Sequence, residues 1–207
     1  LPDIVIHFAA SVEVEESVKN PLKYYENNTF NSLALIQSCI EAKIKHFIFS
    51  STAAVYGNQK KQPIPETAKP NPDSPYGKSK LFLEEIIRDV AVSKNLTFLN
   101  LRYFNVAGAD PLKRTGQIKE PASHLIKIAC ETAIGKRKKI QVYGDNYKTF
   151  DGSCIRDYIH VSDLADLHIK AGEYLLNGGH SNTLNCGYGN GFSVFQVINE
   201  MKNISEI

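Results

Sequence analysis

The chain has 207 residues, 43% of them hydrophobic and 22% charged, enough for one large domain, or one domain with a small appendage, to bury its core without disulfides. That composition excludes a disordered tail, a collagen-like fibre and a mucin-like stalk. A net charge of +2, from 24 Lys and Arg against 22 Asp and Glu, does not mark a nucleic-acid or membrane partner, and no apolar run approaches the roughly 18 residues of a membrane span.

Ile4 to Phe8 is a short apolar run without polar alternation, the pattern of a strand buried on both faces. Asn20-Pro21 reads as a cap followed by proline at the first helical position. Leu22, Tyr25, Thr29, Leu33, Ile36 and Ile40 then recur three and four apart and predict one buried helical face. His46 to Ser50 is the next strand, and a loop rich in Pro and polar residues runs from Asn58 to Asp73. Ser74-Pro75 opens a second helix with Leu83, Ile86, Ile87 and Val90 on its apolar side, and Thr97 to Leu101 is a third strand. Strands alternating with helices predict parallel pairing through right-handed crossovers, hence a doubly wound α/β sheet.

After Asn105 the rhythm loosens. Ala107 to Pro121 reads as a loop, His124 to Gly135 as a helix closed by glycine, and Ile140 to Tyr143 as a short strand. Ser162 is a candidate cap for a helix running to Leu176, and Ser193-Val194-Phe195-Gln196 fits a capping box for the last helix. The expected division is a nucleotide-binding core over 1–105 and a smaller substrate-binding part over 106–207, with elements returning to the core. The chain opens at Leu1 without a charged-then-apolar signal pattern and stops at Ile207 just after a helix-like segment, so it reads as the middle of a longer protein. Cys39, Cys130, Cys154 and Cys186 form no CxxC pair, which predicts reduced thiols in a cytoplasmic protein. The six histidines show no close metal spacing.

Tyr76-Gly77-Lys78-Ser79-Lys80 is the sharpest chemical feature. Tyr76 and Lys80 are i and i+4 at a helix start and share one face. A lysine ammonium and the positive end of the helix both favour a phenolate, and a phenol tuned toward neutrality can act as a general base on a sugar hydroxyl. The plainer alternative is a partly exposed Tyr-Lys pair. The second feature is Ser50-Ser51-Thr52-Ala53-Ala54-Val55-Tyr56-Gly57, just beyond a strand's C-terminal end, where doubly wound sheets place ligands. A hydroxyl there could bond the substrate oxygen that the tyrosine deprotonates, or it could simply cap the strand end.

Together, a strand-end Ser/Thr and a YxxxK about twenty residues on resemble the extended short-chain dehydrogenase/reductase family, with its Rossmann-like fold. His7-Phe8-Ala9-Ala10 and Tyr24-Tyr25-Glu26-Asn27-Asn28 resemble that family's cofactor contacts. Leu101-Arg102-Tyr103-Phe104-Asn105 and the run from Asp151 to Val161 narrow the resemblance to the UDP-glucose 4-epimerases, over essentially the whole chain. The resemblance implies that Tyr76 is the catalytic base, that Lys80 binds the nicotinamide ribose and tunes it, and that Thr52 is the catalytic Ser/Thr. It implies that Phe8, Ala9, Ala10, Ser11 and Asn27, with Tyr76, Lys80 and Phe104, contact tightly bound NAD. It implies that Asn105, His124, Leu125, Gln141, Val142, Tyr143 and Arg156, with Thr52 and Tyr76, hold the UDP-sugar. A guanidinium at Arg156 suits a diphosphate, the alternative being an ion pair with Asp157. The implied reaction interconverts UDP-galactose and UDP-glucose through a 4-keto intermediate, in a cytoplasmic homodimer without nucleic-acid, membrane or metal partners.

Two departures qualify the resemblance. Ala10-Ser11-Val12 stands where many relatives have Gly-x-Lys, and the glycine-rich dinucleotide fingerprint does not occur in the chain. A 4,6-dehydratase would need an Asp-Glu pair directly after Thr52, where this chain has Ala53 and Ala54. An epimerase for UDP-glucuronate or a UDP-N-acetylhexosamine stays open, as does a non-catalytic fragment. Lys136-Arg137-Lys138-Lys139 reads as a solvated helix end, and Gly187-Tyr188-Gly189-Asn190-Gly191 as a tight turn.

Overall fold

The computed structural model describes residues 2–205. The chain divides into two compact units. One holds the residues up to Phe104 together with Ala165–Cys186, and the other holds Asn105–Leu164 and the residues from Gly187 on.

The first unit is built on a parallel sheet of four strands, β1 (Ile4–His7), β2 (His46–Thr52), β3 (Thr97–Tyr103) and β6 (Asn182–Cys186), in the order β1-β2-β3-β6. The helices before β2 are α1 (Val14–Lys19), α2 (Pro21–Tyr24) and α3 (Asn31–Glu41), and a π-helical turn over Tyr25–Phe30 joins the last two. Helix α4 (Pro75–Lys94) connects β2 to β3. The core lies between the sheet and α3 and α4, where Phe47, Phe49 and Phe98 meet Ile36, Cys39, Leu83 and Ile87. Every residue of β2 after His46 is buried, as a central parallel strand requires. Strand β1 differs from the expectation: Ile6 is 39% exposed, because β1 is hydrogen-bonded to β2 alone among the described strands.

The helical stretch from Pro21 to Glu41 corrects the predicted face. Leu22 is 76% exposed, Tyr25, Thr29, Leu33 and Ile40 are half-buried, and the buried residues are Tyr24, Asn28, Ser32, Ile36 and Cys39. A π-helical turn holds more residues than an α-helical one, so a spacing of four stays on one face. That face buries polar groups because each finds a partner: Asn28 bonds Ser11 and Ser79, and Ser32 bonds His7. Pro21 occupies the first helical turn as predicted, but the Asn20 side chain makes no capping bond.

Helix α4 follows its sequence signals closely. The Ser74 hydroxyl accepts from Gly77 N at 3.1 Å, Pro75 opens the helix, and Asn95 ends it in a left-handed conformation. Leu83 and Ile87 are buried, and Ile86 and Val90 pack beside them.

The second unit contains a three-stranded sheet, β4 (Asn105–Ala107), β5 (Ile155–His160) and β7 (Gly191–Ser193), with α5 (Leu125–Ala133) and α7 (Val194–Ser205). Helix α6 (Val161–Leu176) crosses the division of the chain. Three details here differ from the prediction. Asn105–Ala107 is a strand paired with β5, where the loop had been expected to start at Ala107. Residues 140–143 form no strand, since no ladder partner meets them among the described residues. Helix α6 starts before Ser162, and it is His160 Nδ1 that accepts the Ser162 N–H, at 3.2 Å. The capping box at α7 forms in full: Gln196 N donates to Ser193 Oγ at 3.0 Å, and Ser193 N donates to Gln196 Oε1 at 2.9 Å. No described helix is long and apolar enough to cross a membrane.

Because the Ser74 hydroxyl satisfies a donor that a methyl group would leave bare, Ser74→Ala is expected to cost about 1 kcal/mol of unfolding free energy and Ser74→Gly only a few tenths. Urea denaturation of the two variants checks the order.

Candidate active site

Two neighbouring pieces of the first unit carry the candidate chemistry: the C-terminal end of β2 and the first two turns of α4. After β2 the chain enters a short 3-10 turn over Ala53–Tyr56, and Thr52 Oγ1 accepts the Ala54 N–H at 3.1 Å. Gly77 lets the helix start close on this turn. A Cβ at Gly77 would lie 2.7 Å from the Ala54 carbonyl oxygen and 2.9 Å from Pro72 Cβ, so glycine is what permits the approach. The Thr52 side chain is near enough to the Tyr76 phenol to favour its anion, and the Tyr24 ring meets Tyr76 edge-on at 6.4 Å.

Lys80 is 2% exposed. Its Nζ donates to the Ser50 carbonyl at 2.7 Å and stands 4.8 Å from the centre of the Phe49 ring. Burial pushes the ammonium down to about 8, against the pull of the Glu84 carboxylate. His7 is stacked on Phe49 and hydrogen-bonded to Ser32 at 2.7 Å. Burial, and then the charge of Lys80, lower its imidazole to about 4. Tyr76 corrects the sequence reading. Its phenol lies above the ordinary value, because burial disfavours the phenolate and the nearby Thr52 side chain only partly opposes that. The expected acidification by Lys80 is not found, since Lys80 directs its ammonium at Ser50.

The predicted cofactor contacts lie at the C-terminal edge of β1 and on the π-helical turn. Phe8 is 55% exposed, and its ring meets His168 at 4.8 Å. Ala9 and Asn27 are exposed, while Ala10 and Ser11 are half-buried. Asn27 Nδ2 donates to Ser11 Oγ at 3.2 Å. The residue that shapes this edge is Asn28, which the sequence reading quoted within a run resembling the cofactor contacts but did not single out. It accepts the Ser11 N–H at 2.8 Å and donates to Ser11 O and to Ser79 Oγ. Phe104 is half-buried at the end of β3, its N–H bonded to Cys186 O at 3.3 Å. Tyr103, quoted only as part of the 101–105 motif, bonds His168 Nε2. The donor set fits the cofactor that the resemblance implies. Only one of the three Lys80 N–H bonds is directed at Ser50, a chemistry matched to the diol of a ribose, at the strand edge where doubly wound sheets bind dinucleotides.

The structure thus brings Thr52, Tyr76 and Lys80 together. The predicted sugar-nucleotide residues other than Thr52 and Tyr76 lie on the second unit, spread over several elements. Asn105 opens β4 opposite Tyr158 of β5. His124 directly precedes α5, its Nδ1 2.8 Å from Gln117 Nε2, and Leu125 is the first residue of the helix. Val142 lines an apolar cavity of about 350 Å³ between α5 and α7, while Gln141 and Tyr143 are exposed. Arg156 Nη1 donates to Ile155 O at 2.9 Å. The Asp157 carboxylate instead accepts the Tyr188 and Gly189 N–H groups at 3.1 and 2.8 Å, securing the Gly187–Gly191 turn.

His7 imposes a pH dependence on folding. Its folded value, about 4, lies below the ordinary 6.5, so the unfolded chain binds the extra proton between those limits. The stability contributed is complete above pH 6.5 and is lost as the pH falls toward about 4. Urea unfolding should show a slope of up to about 1.4 kcal/mol per pH unit in that window, diminished in His7→Gln.

The family described as "NAD dependent epimerase/dehydratase family" matches residues 1–187. A UDP-glucose 4-epimerase of Azospirillum brasilense is 52% identical over 203 residues, covering 98% of this chain and 58% of the relative. The crystal structure of a UDP-glucose 4-epimerase from Brucella ovis in complex with NAD superposes with a TM-score of 0.95 at 43% identity, over 98% of this chain and 62% of that one. The UDP-Glc/GlcNAc 4-epimerase of Campylobacter jejuni is 49% identical with a TM-score of 0.82, over 99% of this chain and 62% of that one. The chain spans about three fifths of the length of these relatives. With the family match covering most of its residues, the Rossmann-like chain belongs to the NAD dependent epimerase/dehydratase family.

Proposed function

We propose that this chain carries the catalytic centre of a UDP-glucose 4-epimerase, interconverting UDP-galactose and UDP-glucose through a 4-keto sugar with tightly bound NAD. The observation that supports the reading is the close seat of the α4 start on the end of β2 at Gly77 and Ala54, which sets Tyr76 beside Thr52, with the buried Lys80 one helical turn on and bonded to the Ser50 carbonyl. In this reading Tyr76 Oη takes the proton of the sugar 4-hydroxyl and later returns it, as a positioned general base and acid. Thr52 Oγ1 bonds the same sugar oxygen and holds it in line with the phenol. Lys80 bonds the nicotinamide ribose, and Phe8, Ala9, Ala10, Ser11, Asn27 and Phe104 line the rest of the cofactor's path. NAD, when bound, supplies the acceptor and donor of the C4 hydride. Asn105, His124, Leu125, Gln141, Val142, Tyr143 and Arg156 hold the UDP moiety, with Arg156 as the diphosphate cation. The division of labour is then a cofactor-binding first unit and a substrate-binding second unit.

Ala53 and Ala54 argue against dehydration across the sugar C5–C6 bond, because their methyl groups offer neither acid nor base directly after Thr52. The protein acts in the cytoplasm as a homodimer in this reading. Leu22 and Phe30 are 76% and 66% exposed, and Tyr25, which lies between them in sequence, stacks on the exposed Phe82; exposed apolar side chains of this kind suit a second copy.

Conversion of UDP-galactose by the 207-residue chain with added NAD tests the proposal. Turnover is expected, with a loss of about 10²- to 10⁴-fold in Tyr76→Phe. A folded chain that turns over neither UDP-galactose nor UDP-N-acetylgalactosamine overturns it. Turnover of the N-acetylated sugar alone reassigns the substrate.

A further inference from the structure

Glu84 is fully buried on α4, one helical turn beyond Lys80 and two beyond Tyr76. The proposed chemistry makes no use of it. Its carboxylate is nevertheless the meeting point of three elements. Oε1 accepts the Ser51 hydroxyl and, at 3.0 Å, Arg102 Nε. Oε2 accepts Arg102 Nη2 at 2.5 Å. Ser51 directly precedes Thr52 on β2, and Arg102 lies opposite Ser51 in the β2–β3 register. The remaining face of the guanidinium is also occupied. Nη1 donates to the Tyr56 hydroxyl at 2.8 Å, and the group stands 4.7 Å from the centre of the Tyr56 ring. Tyr56 in turn donates to Asn185 Oδ1 at 2.7 Å at the end of β6.

Stability alone does not call for this arrangement. A buried ion pair is often replaceable by apolar side chains without loss, because desolvation cancels most of the Coulombic attraction. What apolar packing lacks is direction. A bidentate carboxylate–guanidinium fork sets both distance and angle. Here the fork sits below the Tyr76–Lys80 ridge and grips the residue next to Thr52.

We propose that Glu84 is a positioning residue for the Tyr76–Thr52–Lys80 centre: through Ser51 and Arg102, its carboxylate sets the seat of α4 on the end of β2 and thereby aligns the Tyr76 phenol with Thr52. The inference rests on the epimerase reading for its effect on turnover, but its geometry is read independently of it. Around Lys80 and Tyr76 the titratable groups are Glu84 on α4, His7 on β1, Tyr24 on α2 and Tyr103 on β3, with Arg102 beyond Glu84. Glu84 raises and burial lowers the Lys80 ammonium. Removing Glu84 alone would therefore change charge as well as position.

The double variant Glu84→Met/Arg102→Met separates the two, since it removes one negative and one positive charge. The full chain, wild type and variant, is compared by thermal melting, by ultraviolet titration of the Tyr76 phenol (each protein against its own Tyr76→Phe derivative), and by turnover of UDP-galactose. The variant is expected to melt close to the wild type. Its Tyr76 midpoint should rise by about half a unit or more as the phenol moves away from Thr52. Its kcat should fall by about 10- to 100-fold with KM little changed. A stable variant with wild-type kcat and an unmoved Tyr76 midpoint overturns the proposal. If the double variant does not fold, Ser51→Ala, which leaves the ion pair intact, is put through the same phenol titration: a rise supports the proposal and an unmoved midpoint overturns it. If the wild type itself shows no turnover, the epimerase reading fails, and the phenol titration still decides this one.

Discussion

Helix α4 touches the β2 end of the sheet at three levels, and the candidate centre depends on all of them. At the top, Ser74 closes the first turn and Gly77 lets it approach the Ala54 carbonyl. One turn lower, Lys80 reaches the Ser50 carbonyl. Below that, Glu84 grips Ser51 and Arg102. The Lys80 and Glu84 contacts are directional and join α4 to the strand that carries Thr52, while Gly77 removes the side chain that would hold the two apart. Apolar packing from Leu83 and Ile87 supplies cohesion on the same helix, but side chains that only need to be out of water tolerate sliding and rotation. Polar contacts remove that freedom.

The electrostatics of the centre follow from burial rather than from pairing. Lys80 is pushed down and Tyr76 is pushed up, so both are held toward their neutral forms. His7 is neutral for the same reason, with the Lys80 charge as the second cause. The guanidinium of Arg102 is held strongly protonated by Glu84 and Tyr56 despite its burial. Burial thus favours the protonated form of the Tyr76 phenol.

The π-helical turn between α2 and α3 links the fold to this site. It turns polar side chains inward, where Asn28 binds the Ser11 backbone and Ser79 of α4, and Ser32 binds His7. The edge of β1 and the second turn of α4 are thus tied to one helix. The same turn leaves Leu22 and Phe30 facing outward, an inversion of the usual amphipathic order.

Local patterns in the sequence determined what depends on neighbours a few residues away. The Ser74-Pro75 start of α4, the shared face of Tyr76 and Lys80, the buried runs of β2 and β3 and the Ser193–Gln196 capping box are all of this kind. Their geometry is set by helix and strand periods and by side chains that reach one turn. The tertiary structure decided the rest. The face that Pro21–Glu41 buries was settled by partners on β1 and α4, against the apolar spacing. The failure of 140–143 to form a strand reflects a missing ladder partner, which no residue within the segment encodes. The acid strength of Tyr76 was set by burial and by Thr52, with Lys80 drawn off to a carbonyl thirty residues earlier in the chain. Glu84 meets Ser51 and Arg102 across separations of 33 and 18 residues. Hydrogen-bond direction and desolvation act between groups that only the folded chain brings together, so no reading of spacing along the sequence reaches them.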